Sequence, residues 1–79
     1  MSQKTFRLPD LGEGLTESEI VTWRVAEGDA VTVNQVLADV ETAKAVVEVS
    51  SPFAGVVAAL HGAEGETLEV GAPLVTFTL

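Results

Sequence analysis

Ala26-Glu27-Gly28-Asp29 recurs further along the chain as Ala63-Glu64-Gly65-Glu66, and this internal repeat decides the fold. Three later positions match at the same offset: Val33 with Val70, Leu37 with Leu74 and Val40 with Phe77. Glycine–acid turns also recur by chance, but here the turn, the apolar phase and the flanking strands all agree. One copy alone would leave an apolar face exposed, and pairing two copies about a pseudo-twofold axis buries both faces.

Short β-branched runs separated by Gly, Pro, Asn and acidic residues surround the repeat, and this pattern is typical of strands rather than helices. Strands are predicted at residues 5–8, 19–25, 31–33, 36–42, 45–50, 55–61, 67–70 and 74–79. In the second strand, Val21, Trp23 and Val25 should share one face, with Thr22 and Arg24 on the other. The predicted fold class is all-β: a flattened barrel or sandwich of two four-stranded antiparallel sheets with pseudo-twofold symmetry.

Length and charge limit the function. The 79 residues fit one domain, and the absence of cysteine excludes disulfides and cysteine-ligated metal sites. The net charge of -8 disfavours nucleic acid and favours basic protein surfaces as partners. No stretch is long enough to span a bilayer, and no signal or transit peptide precedes the first strand, so we expect a cytoplasmic protein without a membrane partner.

Lys44 is expected at a hairpin tip that projects into solvent. If residues 36–42 pair with residues 45–50, Ala43 and Lys44 lie at the turn between them. This segment has no Gly or Asn, so its residues fit a type I turn within a slightly longer loop. Elsewhere, Trp23 is expected to pack in or against the core, and His61 to lie at the surface or a strand end. The sequence has no nucleophile–base pair, phosphate loop or metal cluster, and therefore predicts a non-enzymatic domain without a metal.

Several motifs, in order, resemble the lipoyl domain of the dihydrolipoyl acyltransferases of 2-oxo acid dehydrogenase complexes. They are Leu8-Pro9-Asp10-Leu11-Gly12-Glu13-Gly14-Leu15-Thr16-Glu17, Glu19-Ile20-Val21-Thr22-Trp23 with Glu27-Gly28-Asp29, Glu41-Thr42-Ala43-Lys44-Ala45, Ser51-Pro52 with Gly55, and Gly71-Ala72-Pro73-Leu74. Together they cover essentially the whole chain. The chain departs from the family at Ala43, where Asp is commonest, and at Ser50, where Pro is frequent. Some branched-chain and bacterial members carry Ala before the lysine.

The resemblance implies a barrel-sandwich hybrid fold and lipoic acid attached covalently to the side-chain amine of Lys44. In the family, a thiamine-dependent 2-oxo acid decarboxylase reductively acylates the lipoyl group. The acyl group then passes to coenzyme A at the acyltransferase core, and dihydrolipoyl dehydrogenase reoxidises the dithiol. The cofactor supplies the chemistry, and the protein supplies position and recognition. A lipoyl ligase or transferase would attach the group, and the isolated domain would be a monomeric, non-catalytic carrier.

The resemblance also assigns recognition residues. Glu41, Thr42, Ala43 and Ala45 surround the lysine. Gly12, Glu13 and Gly14 belong to a loop, residues 10–17, that is similar to one lying near the lipoyl lysine in the family and contributing there to partner choice.

Other carrier domains and unmodified binding domains of the same fold are the alternatives. A biotinyl domain shares the fold, but it places methionine on both sides of its lysine. A glycine-cleavage carrier is longer, and unmodified lipoyl-like domains of membrane transport adaptors contain a long helical insertion. The alanine before the lysine favours a branched-chain complex, with a pyruvate complex next. We expect residues 1–79 to be one lipoyl domain at the N-terminus of a longer acyltransferase, although a free-standing protein is the alternative.

Overall fold

Each strand contains at least one β-branched or aromatic residue, the types that favour extended backbone. The computed structural model describes residues 2–11 and 16–79, and within these ranges it contains eight strands and no helix. The strands are β1 Gln3–Arg7, β2 Glu17–Trp23, β3 Ala30–Val31, β4 Val36–Glu41, β5 Val46–Ser50, β6 Gly55–Leu60, β7 Thr67–Glu69 and β8 Pro73–Thr78. Nowhere in these ranges is there a helix that could cross a lipid bilayer.

The strands form two four-stranded antiparallel sheets, which confirms the predicted fold class. One sheet has the order β1-β8-β6-β3 and contains the strands nearest both chain termini, so we call it the terminal sheet. The other has the order β5-β4-β2-β7 and contains the hairpin that carries Lys44, so we call it the hairpin sheet. Each sheet takes strands from both sequence repeats, because β3 pairs with β6 and β7 pairs with β2.

The repeat appears as a pseudo-twofold relation between the sheets. In the first turn, the Asp29 carboxylate accepts a hydrogen bond from the Ala26 amide at 2.8 Å. In the second, the Glu66 carboxylate accepts one from the Ala63 amide at 3.0 Å. The strands β4 and β8, which follow these turns, occupy the second position of their own sheets. The equivalent pairs Leu37 with Leu74 and Val40 with Phe77 are all fully buried, as the common offset predicted.

A single apolar core fills the space between the sheets. It is formed mainly by branched aliphatic side chains, with Phe77 as the largest fully buried one. Its buried members are Leu8, Ile20, Val25, Val31, Leu37, Val40, Val49, Val57, Leu74, Val75 and Phe77. Phe77 meets Phe53 edge to face, with ring centroids 4.9 Å apart. In a domain of this size such packing must supply most of the stability.

The predicted face of Val21 was wrong. A β-bulge shifts the pairing of β2 with β4 between Ile20 and Thr22, so Val21 is an extra residue without a partner in β4. Ile20 is buried, whereas Val21 is 39% exposed. The bulge reverses the alternation, and Val25 still reaches the core although Val21 does not.

All eight strands differ from their predicted bounds by one or two residues at one or both ends, and two of these differences fall where the chain enters a turn. The strand β2 ends at Trp23 rather than at residue 25. The strand β3 covers only Ala30–Val31, and Val33 lies outside it with 54% of its surface exposed. In both places the chain leaves the sheet to enter a turn.

Candidate functional site

Lys44 lies at the tip of the β4–β5 hairpin. The strands pair from Val36 with Ser50 to Glu41 with Val46, which leaves residues 42–45 as the connection. The strand β4 is an inner strand of the hairpin sheet and buries Val40 completely, so its backbone is held firmly. The Lys44 side chain is exposed at the end of this support.

The turn is organised by the side chain of Thr42. Its hydroxyl oxygen accepts hydrogen bonds from the Lys44 amide at 3.2 Å and the Ala45 amide at 3.1 Å. The same hydroxyl donates to the Ala45 carbonyl at 2.8 Å, and the Thr42 amide also donates to that carbonyl at 2.8 Å. None of residues 42–45 has a positive φ, as expected for a turn without Gly or Asn. A side chain thus supplies contacts that other turns obtain from the backbone.

Ser2 and Leu79 occupy the position equivalent to the tip. The Leu79 amide donates to the Ser2 carbonyl at 2.8 Å, which matches the Thr42 amide and the Ala45 carbonyl under the pseudo-twofold relation. Because β4 leads to the tip and its equivalent β8 leads to the C-terminus, the tip and the termini lie at opposite ends of the molecule. Lys44 therefore lies at the end of the molecule away from Ser2 and Leu79.

The predicted recognition residues of the hairpin come together around Lys44. Glu41, Ala43 and Ala45 are exposed, and Thr42 is half-buried under the turn. Their recognition roles remain a prediction. The other predicted recognition residues, Gly12, Glu13 and Gly14, lie outside the described residues.

An open groove runs beside the tip, between the start of β2 and the hairpin. It is lined by Glu17, Glu19 and Glu41 together with Thr42 and Ala43. Glu19 pairs directly with Glu41 across the sheet. The surface next to Lys44 is therefore strongly acidic.

Acidic residues occur on all four strands of the hairpin sheet. Its strands contain no Lys or Arg and carry six carboxylates, on Glu17, Glu19, Asp39, Glu41, Glu48 and Glu69. The strands of the terminal sheet contain no acid and carry Lys4 and Arg7. Arg24, just after β2, forms an ion pair with Asp39 at 2.5 Å. The molecule is thus polarised, and its acidic side carries the candidate lysine.

Trp23 and His61 both make contacts that hold the fold together. The indole of Trp23 is partly buried against the core, and its Nε1 donates to the Gly62 carbonyl at 3.2 Å. His61 follows the end of β6, and its Nε2 lies 2.7 Å from the Thr76 hydroxyl. Both placements agree with the packing and strand-end roles predicted.

One feature of the site was missed. Val46 is 58% exposed on the outer face of β5, next to the tip and opposite Glu41. The alternation along β5 carried the signal, since Val47 and Val49 point inward.

Comparison with known proteins identifies the family. Residues 4–77 match the biotinyl/lipoyl attachment family, whose description is "Biotin-requiring enzyme". The chain belongs to this family. The solution structure of the lipoyl domain of the Azotobacter vinelandii 2-oxoglutarate dehydrogenase complex is 31% identical, covers 95% of both chains and superimposes with a TM-score of 0.76. Within the attachment family, the chain is therefore a lipoyl domain.

The curated relatives are acyltransferase components. The branched-chain alpha-keto acid dehydrogenase component of Pseudomonas aeruginosa is 47% identical over 95% of this chain. The pyruvate dehydrogenase component of Bacillus subtilis is 49% identical over 91% of this chain. The chain spans only 18% and 16% of their lengths, the portion that acts as a non-catalytic carrier. A long-chain acyl-CoA carboxylase also shares the fold, with a TM-score of 0.81 at 20% identity.

Proposed function

We propose that Lys44 is the attachment site of lipoic acid and that this domain carries acyl groups within a 2-oxo acid dehydrogenase complex. The observation that carries the proposal is the exposed lysine at the tip of a paired hairpin in a lipoyl domain. The only other lysine, Lys4, lies in β1 with its amine 5.7 Å from the centroid of the Phe53 ring. It belongs to a strand and has no comparable presentation.

The residues at the tip fit this group. Attachment forms an amide: the Lys44 Nζ bonds to the activated lipoyl carboxyl carbon, the activating group leaves, and the amine loses a proton. That reaction needs an accessible amine on a fixed backbone, and the hairpin provides both. When bound, the lipoyl group supplies a disulfide that accepts an acyl group from a decarboxylase and passes it to coenzyme A. The domain positions the lipoyl-lysine and provides the surface that partner enzymes recognise.

The exposed tip residues support lipoate over biotin. Ala43 and Ala45 flank Lys44, and the only methionine in the chain is Met1. Intact mass tests the attachment site. A purified lipoate ligase with lipoic acid and ATP should add one lipoyl group to the wild type, Lys44→Arg should abolish the addition, and Lys4→Arg should retain it.

A biotin ligase with biotin and ATP provides the matched comparison and should leave the mass unchanged. Failure of the wild type to gain a lipoyl group, or modification of Lys44→Arg, would contradict the proposed site. Gain of biotin would favour the biotinyl reading instead.

For the complex, we propose a branched-chain 2-oxo acid dehydrogenase, supported by Ala43 and by the Pseudomonas relatives. A pyruvate dehydrogenase complex is the second candidate, because the Bacillus subtilis relative is equally similar. The proposed partners are the thiamine-dependent decarboxylase, the acyltransferase core and dihydrolipoyl dehydrogenase. Reductive acylation of the lipoylated domain by each purified decarboxylase distinguishes the two complexes, and the cognate enzyme should give the higher kcat/KM.

A further inference from the structure

We infer that Thr42 is a positioning residue for the modification of Lys44, and that it acts through the turn rather than by touching a partner. The inference rests on the proposed function and adds a physical role for one residue. Three hydrogen bonds join the Thr42 hydroxyl to the two residues that follow Ala43, with the Lys44 amide, the Ala45 amide and the Ala45 carbonyl as partners. The hydroxyl is therefore used fully, as two-fold acceptor and as donor.

The turn has few other means of holding Lys44. The only backbone hydrogen bond found within residues 42–45 runs from the Thr42 amide to the Ala45 carbonyl. The next pairing inward, Glu41 with Val46, lies outside the turn. Without the hydroxyl, the amide of Lys44 would have water as its alternative partner, because the tip is exposed. The backbone that carries the lysine would then sample more conformations.

A mobile tip would reduce apparent affinity for the modifying enzyme. If only a fraction of the molecules present Lys44 in the competent orientation, the apparent binding constant weakens by that fraction. Once the ligase has bound the domain, Lys44 is acylated from the same orientation in the variant and in the wild type. Loss of the hydroxyl should therefore raise KM and leave kcat nearly unchanged.

A direct contact between the hydroxyl and the ligase would also raise KM, so a measurement on the free domain is needed. Backbone ¹⁵N order parameters report the rigidity of the Lys44 and Ala45 amides before any partner is present. A direct contact leaves these values at wild type when the hydroxyl is removed. A positioning role lowers them.

The test uses the whole domain with three variants. Thr42→Val keeps the β-branched shape but removes the hydroxyl, and Thr42→Ser keeps the hydroxyl. Thr78→Val is the matched control, since Thr78 is equivalent to Glu41 at the opposite end and its side chain makes no hydrogen bond within the described part of the chain. Thermal unfolding checks that all three remain folded.

For Thr42→Val we expect the order parameters of Lys44 and Ala45 to fall from about 0.85 to below about 0.6. We expect KM for the domain in ligase-catalysed lipoylation to rise about fivefold, with kcat within about twofold. Thr42→Ser and Thr78→Val should match wild type in both measurements. Rescue by serine excludes a role for the threonine methyl group.

Wild-type order parameters in Thr42→Val would overturn the inference, whether or not KM rises. Lowered order parameters with unchanged KM would overturn it as well, because positioning would then have no effect on modification. Failure of the wild type to be lipoylated would instead contradict the proposed function, and the order parameters would still report on the turn.

Discussion

Ser51 shows how one buried hydroxyl can fix a strand end. The residue is 1% exposed, and its hydroxyl donates to the Phe53 carbonyl at 2.6 Å. We expect Ser51→Ala to lower the free energy of unfolding by about 1 kcal/mol, because a typical internal hydrogen bond contributes that amount. The neighbouring Ser50 is exposed and makes no side-chain hydrogen bond within the described residues, so Ser50→Ala should be neutral. Urea unfolding of both variants measures the difference, and equal effects would contradict the assigned role.

The position of Lys44 could be predicted from the sequence, but the function of Thr42 in the turn could not. The lysine follows from the pairing of two alternating segments, which leaves few residues for the turn. The role of Thr42 depends on the rotamer of one hydroxyl, and the periodicity of a sequence carries no information about rotamers. The exposure of Val46 could have been predicted from the alternation along β5, although it was missed.

At the scale of elements, the two equivalent glycine turns should respond to substitution with equal losses in the free energy of unfolding. Gly28 has φ 94° and donates to the Val57 carbonyl at 2.7 Å, whereas Gly65 has φ 89° and donates to the Ile20 carbonyl at 2.7 Å. An added Cβ would meet nothing within 4 Å at either site, so only backbone strain would arise. Gly28→Ala and Gly65→Ala should each cost about 1–2 kcal/mol, the penalty of a left-handed backbone for an alanine.

Each glycine variant is the matched control of the other. Urea unfolding should give losses that agree within about 0.5 kcal/mol and add in the double variant, because the turns share no partner. A loss at only one site would show that the two turns are not energetically equivalent.

The repeat predicted the strands well but not their irregularities. The common offset fixed the equivalence of Leu37 with Leu74 and of Val40 with Phe77, and all four enter the core. Simple alternation along β4 failed, because four consecutive residues from Leu37 to Val40 are buried. The bulges were not predictable, although they too obey the repeat: the pairing shifts at Val21 in β2 and at the equivalent Ala58 in β6. A bulge depends on the twist of the assembled sheet, and a local pattern of apolar residues does not encode that twist.

At the scale of the whole molecule, the two sheets are alike in their backbone arrangement but differ in the charge of their outer faces. The buried apolar faces of the two sheets are equivalent, as the core requires, whereas their outer faces differ completely in charge. Core packing therefore requires similar residue types in the two repeats only at the positions that face the core. The outer side was free to become acidic around the lysine, and this asymmetry gives a partner a way to distinguish the two ends and faces of a nearly symmetric domain.

The polarity predicts a salt-dependent encounter with the proposed decarboxylase. Raising the ionic strength from 0.01 M to 0.15 M shortens the screening length from about 30 Å to about 8 Å, so long-range attraction between the acidic face and a basic partner should weaken. We expect kcat/KM for reductive acylation to fall over this range. At low salt, Glu19→Gln should lower it about twofold, and the difference from wild type should disappear at high salt.

Glu27→Gln is the control of equal charge change. The Glu27 carboxylate accepts a hydrogen bond from the Leu60 amide of the terminal sheet at 3.3 Å, and the residue thus lies away from the acidic face. Simple dependence on net charge would slow this variant as much as Glu19→Gln, whereas recognition of the polarised face would leave it close to wild type. Equal slowing of both variants, or a rate that salt does not change, would contradict electrostatic guidance by the hairpin sheet. Because Glu19 lines the groove beside Lys44, guidance of this kind would bring the decarboxylase to the end of the domain that presents the arm.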